Sequence, residues 1–304
     1  MQAGNFYLLY ISLMKKLLSF AFICVSLFTS AQTSTEIIVF DIKSENGQYL
    51  FSNPVNITNH KGYDNQPFFH PSKPLIYYSS FNDSGRSDIK IYDYKTGKTS
   101  NLTETNEREY SPTVTPDGKY ISCIIQRDNG AQDLGKYPIN GGKPEVLINN
   151  LKVGYHLWLS KEKLVLFVLG DSTNPNTMRL YDLSAKTDNV LAKNIGRSLQ
   201  LIPGENAFSF VQNVSDKEKR VQKYDIATGT ISPVTMTIRG QDFLTWLGNN
   251  LMLMGEGTGL YLFDSKTNDG WQPVLIEGDA SLIKGITRVA VNAEKTKLAV
   301  VVSE

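Results

Sequence analysis

The feature of the sequence that most restricts its fold is a repeated pair of short alternating strands. The clearest copy covers residues 111–125, SPTVTPDGKYISCII, in which an Asp-Gly turn separates two runs of alternating apolar and polar residues. Asp-Gly between such runs favours a hairpin because both residues tolerate positive φ. A second copy covers residues 66–80, with Pro67 in the place of Pro112. The sequence therefore predicts paired strands that recur along the chain.

An aromatic residue followed by aspartate marks the end of another strand in each unit. The landmark recurs every 39 to 45 residues, at 92–93, 181–182, 224–225 and 263–264, with Tyr137-Pro138 in the corresponding place of one further unit. A polar turn follows each of them. Four short strands in every 40 to 45 residues are typical of propeller blades. No segment longer than a turn or two has the periodicity of a helix.

Five complete units can be counted, and a sixth is divided between the two ends of the chain. The complete units begin near Asp64, Glu109, Gly154, Gly196 and Gly240. Residues 285–302 supply two strands of the sixth unit, and residues 37–51 supply the other two. Joining both ends in one blade removes the exposed sheet edges at the seam. We predict an all-β, six-bladed β-propeller over residues 32–304 as a single domain, its last blade closed by N- and C-terminal strands.

The N-terminal segment has the pattern of a secretory signal peptide. Residues 14–31 contain two lysines, an apolar run over 17–28, and Thr29 and Ala31 at the −3 and −1 positions of a cleavage site. The apolar run is shorter than the roughly 20 residues that a membrane-spanning helix needs. We expect residues 1–31 to be removed, Met14 to be the start, and the mature protein to be periplasmic or secreted. A membrane anchor in residues 1–13 is the alternative.

Charge and cysteine content exclude some classes of partner and of cross-link. Lys plus Arg is 31 and Asp plus Glu is 30, so the net charge of +1 provides no general attraction for nucleic acid. Beyond the predicted signal peptide only Cys123 remains, which leaves no intramolecular disulfide. We expect a monomer stabilised by packing, which does not span a membrane after signal cleavage.

Residues 111–127, together with Tyr137 and the Gly141-Gly142 turn, resemble the repeat of TolB-like periplasmic propellers. This resemblance implies an exported scaffold that binds protein partners of the Tol-Pal envelope system. TolB itself carries an α/β domain ahead of its propeller, for which residues 32–63 leave no room, so we expect a likeness to the propeller alone. The same blades occur in peptidases and carbohydrate-active enzymes, so the repeat is more specific for fold than for function.

The sequence contains few residues arranged for catalysis or metal binding. It has no G-x-S-x-G motif and three histidines, His60, His70 and His156, without the spacing of a transition-metal site. Asp83 and Asp88, and their counterparts in the next unit, read as solvated loop residues, although Ca²⁺ binding is an alternative. We therefore predict no catalytic residue, no metal and no cofactor.

A partner is expected at one rim of the central channel, where loops entering the innermost strands meet loops joining second and third strands. The candidate partner-binding residues are Asp64, Asn65, Arg86, Glu109, Tyr110, Arg127, Tyr155, His156, Arg197, Gln241, Asp242 and Arg288. Tyrosine and arginine are enriched at binding hot spots. The predicted partner is an envelope protein or peptide, and a merely solvated polar rim is the alternative.

A second functional hypothesis is a carbohydrate-active propeller, either a lyase or a hydrolase. Its candidate residues at the channel mouth are Glu109, His156, Arg197 and Asp242. Glycoside hydrolysis requires two carboxyl groups at a controlled separation, which a sequence does not provide.

Overall fold

The computed structural model describes residues 34–45 and 47–304, and the predicted signal peptide lies outside them. The first fourteen strands are β1 (Thr35–Glu45), β2 (Gln48–Asn56), β3 (Asp64–Phe69), β4 (Leu75–Phe81), β5 (Ser87–Asp93), β6 (Lys98–Asn101), β7 (Arg108–Val114), β8 (Tyr120–Gln126), β9 (Gln132–Pro138), β10 (Glu145–Ile148), β11 (Val153–Trp158), β12 (Lys163–Val168), β13 (Thr177–Asp182) and β14 (Thr187–Lys193). The others are β15 (Ile195–Leu201), β16 (Ala207–Asn213), β17 (Lys219–Asp225), β18 (Ile231–Met236), β19 (Leu244–Trp246), β20 (Leu251–Glu256), β21 (Gly259–Asp264), β22 (Gln272–Pro273), β23 (Leu275–Ile276), β24 (Arg288–Val291) and β25 (Lys297–Ser303).

These strands form six sheets, which confirms the predicted six-bladed propeller. Five sheets have four consecutive antiparallel strands each, beginning with β3, β7, β11, β15 and β19. The helices of the described residues are two 3-10 turns, Ile238–Gly240 and Ala280–Leu282. The first of these turns delays the fifth blade, whose inner strand starts at Leu244 and not near Gly240.

The sixth blade is closed by both ends of the described chain, as predicted. Its strand order is β23-β2-β1-β25-β24, and β1 pairs with β25 from Thr35↔Ser303 to Asp41↔Lys297. Lys297 also pairs with the Asp41 carboxylate. The short β23 adds a fifth strand that the sequence did not predict, and it runs parallel to β2. This blade therefore ties the ring together through hydrogen bonds between the two ends.

Buried apolar clusters lie between neighbouring blades and hold them together. Tyr77 and Ile89 of the first blade pack with Ile121 and Tyr137 of the second, and similar clusters occur around the ring. From the sequence, packing between blades is the favoured role of Trp158 and Trp246 and an aromatic sugar platform is the alternative, and both side chains are buried in such clusters. Packing between blades therefore accounts for these two tryptophans.

The aromatic-aspartate landmark has a clear local role in the hairpin between third and fourth strands. The Asp93 carboxylate accepts hydrogen bonds from the backbone N–H groups of Lys95 (2.8 Å) and Thr96 (3.2 Å). Asp225 makes the same contacts in the fourth blade. The backbone N–H of Lys95 holds the pKa of Asp93 below its ordinary value. Aspartate therefore recurs because it fixes each turn.

Two further properties of the described residues concern their helices and their cysteine. None of their helices is long and apolar enough to cross a membrane. Cys123 is a buried free thiol, and burial raises its pKa well above the usual value. A buried thiol of this kind is poorly reactive.

Candidate binding site in the central channel

The innermost strands enclose a cavity of about 360 Å³ on the axis of the propeller. Six of its lining residues come one from each blade, and five of them directly precede the places aligned with Pro67 and Pro112. In the fourth blade the register shifts between Ile195 and Leu199, and Arg197 lies one residue earlier. We call the six lining residues the channel ring, which consists of Gln66, Ser111, Tyr155, Arg197, Phe243 and Arg288. Because successive side chains of a strand alternate in direction, the residues that follow them point between the blades. The repeat thus builds one lining position in five blades, and the fourth blade supplies Arg197 through an irregular strand.

Two ring residues have an unusual backbone that follows from irregular strand pairing. Gln66 has φ 59° and Ser111 has φ 55°, both in the left-handed region. The register shifts at these points, between Asn65 and Phe68 and at the equivalent place of β7. Gln66 Oε1 accepts a hydrogen bond from the Ser111 backbone N–H (2.7 Å), which links the two blades. Bulges of this kind redirect side chains and are frequent next to functional sites.

On the opposite side of the ring, two guanidinium groups stack on one aromatic ring. The guanidinium carbon of Arg288 lies 3.6 Å from the Phe243 ring centroid, and that of Arg197 lies 4.9 Å from it. Arg288 Nη2 also donates a hydrogen bond to the Tyr155 phenol oxygen (2.7 Å). Phe243 therefore holds two cations close together through cation–π interactions, which gain strength where water is scarce.

Only one of these two arginines is neutralised by a carboxylate. Arg197 Nε lies 2.7 Å from Asp242 Oδ2, and Lys219 Nζ lies 3.5 Å from the other carboxylate oxygen. Among residues 34–45 and 47–304, no carboxylate lies within 4.0 Å of the Arg288 guanidinium. Asp242 thus faces two cations, and Arg288 adds a third charge without a counter-ion. The channel mouth is electropositive on this side.

The charge of this cluster also acts on Tyr155. Burial opposes ionisation of its phenol, but the guanidinium groups of Arg288 and Arg197 outweigh burial and lower the Tyr155 pKa below its ordinary value. Gln66 interacts with the same phenol from across the ring. The Tyr155 phenol is therefore a stronger hydrogen-bond donor than that of an ordinary tyrosine.

His156 follows Tyr155 and points between blades, although it borders the same cavity. It is 8% exposed, and its Nε2 lies 2.7 Å from Ser122 Oγ. Burial lowers its pKa to about 3, so the imidazole is neutral. Within the part of the chain that the structure describes, its Nδ1 and the Ser111 hydroxyl have no hydrogen-bond partner.

Two predicted rim arginines are engaged in ion pairs away from the channel ring. Arg86 binds both oxygens of Asp128 at 2.9 and 3.1 Å, which joins the first blade to the second. Arg127 pairs with Glu107 at 2.8 Å and with Asp133 at 3.0 Å. The structure therefore does not place Arg86 or Arg127 with the channel ring.

The predicted acidic residues at the starts of the first two inner strands face into the protein. Glu109 is 0% exposed and accepts hydrogen bonds from Tyr137 Oη (2.8 Å) and Thr105 Oγ1 (2.6 Å), while burial raises its pKa. Asp64 is equally buried, lies 2.6 Å from His60 Nδ1, and has its pKa raised by burial to about 6. Neither carboxylate is presented to the channel.

Three other predicted residues lie near the ring without lining the cavity. Asn65 is buried and caps the backbone N–H of Gln66 with its side-chain oxygen (2.8 Å). Tyr110 packs edge-on against Tyr63 with ring centroids 6.3 Å apart. Gln241 is half-buried and follows the 3-10 turn, to which its backbone N–H donates a hydrogen bond. These residues support the site more than they compose it.

The structure thus brings together Tyr155, Arg197 and Arg288, with Asp242 behind them. Sequence reasoning missed the ring residues Gln66, Ser111 and Phe243. The alignment of Pro67 with Pro112 already contained the signal for the first two, which precede these prolines. Phe243 had no such marker, because its blade has no aligned proline and a shorter inner strand.

The sequence matches no family model and no curated protein, but the fold has clear structural relatives. TolB from Acinetobacter baumannii superposes with a TM-score of 0.60 at 13% identity, over 88% of this chain and 63% of that chain. A candidate TolB from Agrobacterium tumefaciens superposes with a TM-score of 0.66 at 11% identity, over 90% and 99%. The chain folds as a TolB-like propeller. The expected resemblance is confirmed at the level of the fold.

This TolB-like propeller also resembles an enzyme of related architecture. An oligogalacturonate lyase in complex with manganese superposes with a TM-score of 0.57 at 13% identity, over 90% of this chain and 98% of that chain. Identities this low establish shared fold and not shared chemistry. In the described residues of the TolB-like propeller, no group of three or more His, Cys, Asp or Glu side chains is placed to hold a metal ion.

Proposed function

We propose that this chain is a non-enzymatic, exported TolB-like propeller that binds an envelope protein or peptide at its channel mouth. The observation that carries the proposal is the Arg288 guanidinium, which stacks on Phe243 and lacks a carboxylate partner among the described residues. Arginine and aromatic side chains held together at a concave mouth are typical of binding hot spots. The predicted signal peptide supports a periplasmic or secreted location, and we propose a monomer.

The positions of the acidic residues favour binding over carbohydrate chemistry. A general acid or base must reach the substrate within hydrogen-bond distance. Glu109 is bonded to Tyr137 inside its blade, and Asp242 is engaged by Arg197 and Lys219. Both carboxylate candidates of the carbohydrate-active hypothesis are therefore committed to internal contacts. That hypothesis draws its remaining support from Tyr155, whose phenol oxygen lies in the channel 2.7 Å from Arg288 Nη2.

The test is affinity capture from an envelope extract, with the mature chain as bait. The matched variants are Arg288→Gln and Arg220→Gln, the second of which removes an arginine of β17 outside the cavity lining. We expect a specific partner that the wild type and Arg220→Gln retain and Arg288→Gln loses. Partner recovery that is indifferent to Arg288, or cleavage of polyuronates or envelope glycans by the wild type, would contradict the proposal.

A further inference from the structure

The two arginines of the channel ring carry hydrogen-bond donors that the protein does not use. Arg288 donates through Nη2 to the Tyr155 oxygen, and Arg197 donates through Nε to the Asp242 carboxylate. Within the described residues, the other nitrogens of both guanidinium groups donate no hydrogen bond to the protein. A guanidinium group has donors and no acceptor. The ring therefore offers several charge-assisted donors to whatever enters the cavity.

The Tyr155 phenol adds a donor to the same group. Its oxygen accepts the hydrogen bond from Arg288, so its own O–H remains available to an acceptor. Both guanidinium groups interact with this oxygen. Arg288 belongs to the sixth blade and Tyr155 to the third, which lie on opposite sides of a six-bladed ring. The donors of Arg197, Arg288 and Tyr155 therefore meet across the channel axis.

The carboxylate of this cluster, Asp242, is committed to other partners. Its Oδ1 accepts a hydrogen bond from the Arg197 backbone N–H (3.1 Å), and its Oδ2 accepts one from Arg197 Nε (2.7 Å). Gly196 makes room for this carboxylate, because a Cβ at that position would overlap Asp242 Oδ1. Lys219 approaches the same oxygen from another side. Asp242 is thus held in place, and Arg288 keeps no carboxylate partner among the described residues.

Phe243 brings two like charges together. The guanidinium carbons of Arg288 and Arg197 lie 3.6 and 4.9 Å from its ring centroid. Two cations that share one aromatic ring and one phenol repel each other, and an anion between them removes that repulsion. Arg197 keeps 49% of its side-chain surface exposed, so a ligand can reach the pair from the channel mouth. Charge and hydrogen-bond polarity therefore both favour an anion that accepts several hydrogen bonds.

We propose that the channel ring binds an oxyanion, the carboxylate or phosphoryl group of a small ligand, between the guanidinium groups of Arg197 and Arg288 and the Tyr155 hydroxyl. Planar and tetrahedral oxyanions both fit the guanidinium fork. The cavity of about 360 Å³ that these residues line admits a small ligand and not a folded element. The inference goes beyond the proposed function, because oxyanion binding needs no protein partner.

The test is a titration of the mature chain followed by nuclear magnetic resonance of its arginine Nε–H groups. The probes are acetate, inorganic phosphate and acetamide, the uncharged match of acetate, at constant chloride concentration. We expect acetate or phosphate to shift the Arg197 and Arg288 resonances in a saturable way, and acetamide to bind about tenfold or more weakly than the oxyanion. The resonance of Arg220, an arginine of β17 outside the cavity lining, should stay in place.

Variants assign the binding to the channel ring. Arg288→Gln should weaken the affinity for the oxyanion by about tenfold or more, and Arg220→Gln should leave it unchanged. Asp242→Asn keeps the shape of the side chain but removes the competing negative charge, so it should tighten binding by about tenfold. A residue with a merely structural role would not give such a gain. Thermal unfolding establishes that each variant is folded before its affinity is measured.

The outcomes are clear-cut. Saturable binding of acetate or phosphate that Arg288→Gln weakens upholds the inference, and the tighter of the two probes identifies the class of oxyanion. No shift with either probe, equal affinity for acetamide, or an affinity that Arg288→Gln leaves unchanged overturns it. Tyrosinate absorbance at neutral pH that Tyr155→Phe removes also overturns it, because the ring would then supply its own anion. Capture of an envelope partner is measured separately, so failure of one proposal is distinguishable from failure of the other.

Discussion

Two serines at equivalent positions of the second and fourth blades bond to the tryptophan of the following blade. Because one of them has an additional partner, we expect their replacement to lower the free energy of unfolding by unequal amounts. Ser122 Oγ accepts a hydrogen bond from Trp158 Nε1 (2.8 Å), and Ser209 Oγ accepts one from Trp246 Nε1 (2.8 Å). Ser122 additionally meets His156 Nε2 at 2.7 Å. All of these side chains are buried. Ser122→Ala therefore leaves two ring nitrogens unpartnered, and Ser209→Ala leaves one.

The expected magnitudes follow from the cost of a buried polar group without a partner, which is about 1–3 kcal/mol. Ser209→Ala should lower the free energy of unfolding by about 1–3 kcal/mol, and Ser122→Ala by about 2–6 kcal/mol. The difference of about 1–3 kcal/mol belongs to His156. Urea unfolding of the mature chain, followed by circular dichroism, measures both values.

The chain provides its own control, because the residue equivalent to His156 in the fifth blade is Leu244. In a His156→Leu background, Ser122→Ala should cost about as much as Ser209→Ala, since each then orphans one indole N–H. The reasoning is refuted if Ser122→Ala and Ser209→Ala cost the same in the wild type. It is equally refuted if the extra cost of Ser122→Ala persists in the His156→Leu background.

Three further predictions concern closure, packing and pH. Phe40→Ala, in the strand that closes the ring and with 1% exposure, should cost about 3–5 kcal/mol of unfolding free energy in urea titration, whereas an exposed site would cost little. Gly255→Ala places a Cβ against the Ile286 side chain and should cost about 1–3 kcal/mol in the wild type, but much less when it is added to an Ile286→Ala background. Burial raises the Asp64 pKa above its unfolded value to about 6, so the contribution of Asp64 to the free energy of unfolding is fully present below pH 4. That contribution, roughly 3 kcal/mol, is lost as pH rises towards 6. Asp64→Asn should lack this fall, and a pH profile that is the same in the wild type and the variant would contradict the assignment.

The fold could be predicted from the sequence because its determinants are local. The Asp117-Gly118 hairpin and the aspartate at the end of each third strand act within a few residues, and the structure shows both in the expected turns. The divided sixth blade also followed from counting strands. The extra strand β23 did not, since a two-residue strand has no periodicity to detect.

The candidate site could be predicted only in part, because its decisive features are not local. The left-handed backbone of Gln66 and Ser111 is unexpected for these residue types, which rarely adopt positive φ. The burial of Glu109 depends on Tyr137, which comes from another strand of the blade. An acidic residue at the start of a strand is usually exposed, so its sequence position indicated the rim. Which arginine lacks a counter-ion is likewise visible only after the blades are assembled.

The channel ring shows why a repeated fold can carry a specific site. The six blades contribute five different residue types to the ring, so the repeat determines where the ring is and the individual residues determine what it binds. The polar, strained half at Gln66 and Ser111 faces the half formed by the stacked guanidinium groups, and Tyr155 touches both. A ligand on the axis therefore meets hydrogen-bonding groups on one side and positive charge on the other. Because the two sides of the ring differ in chemistry, such a ligand has one preferred orientation.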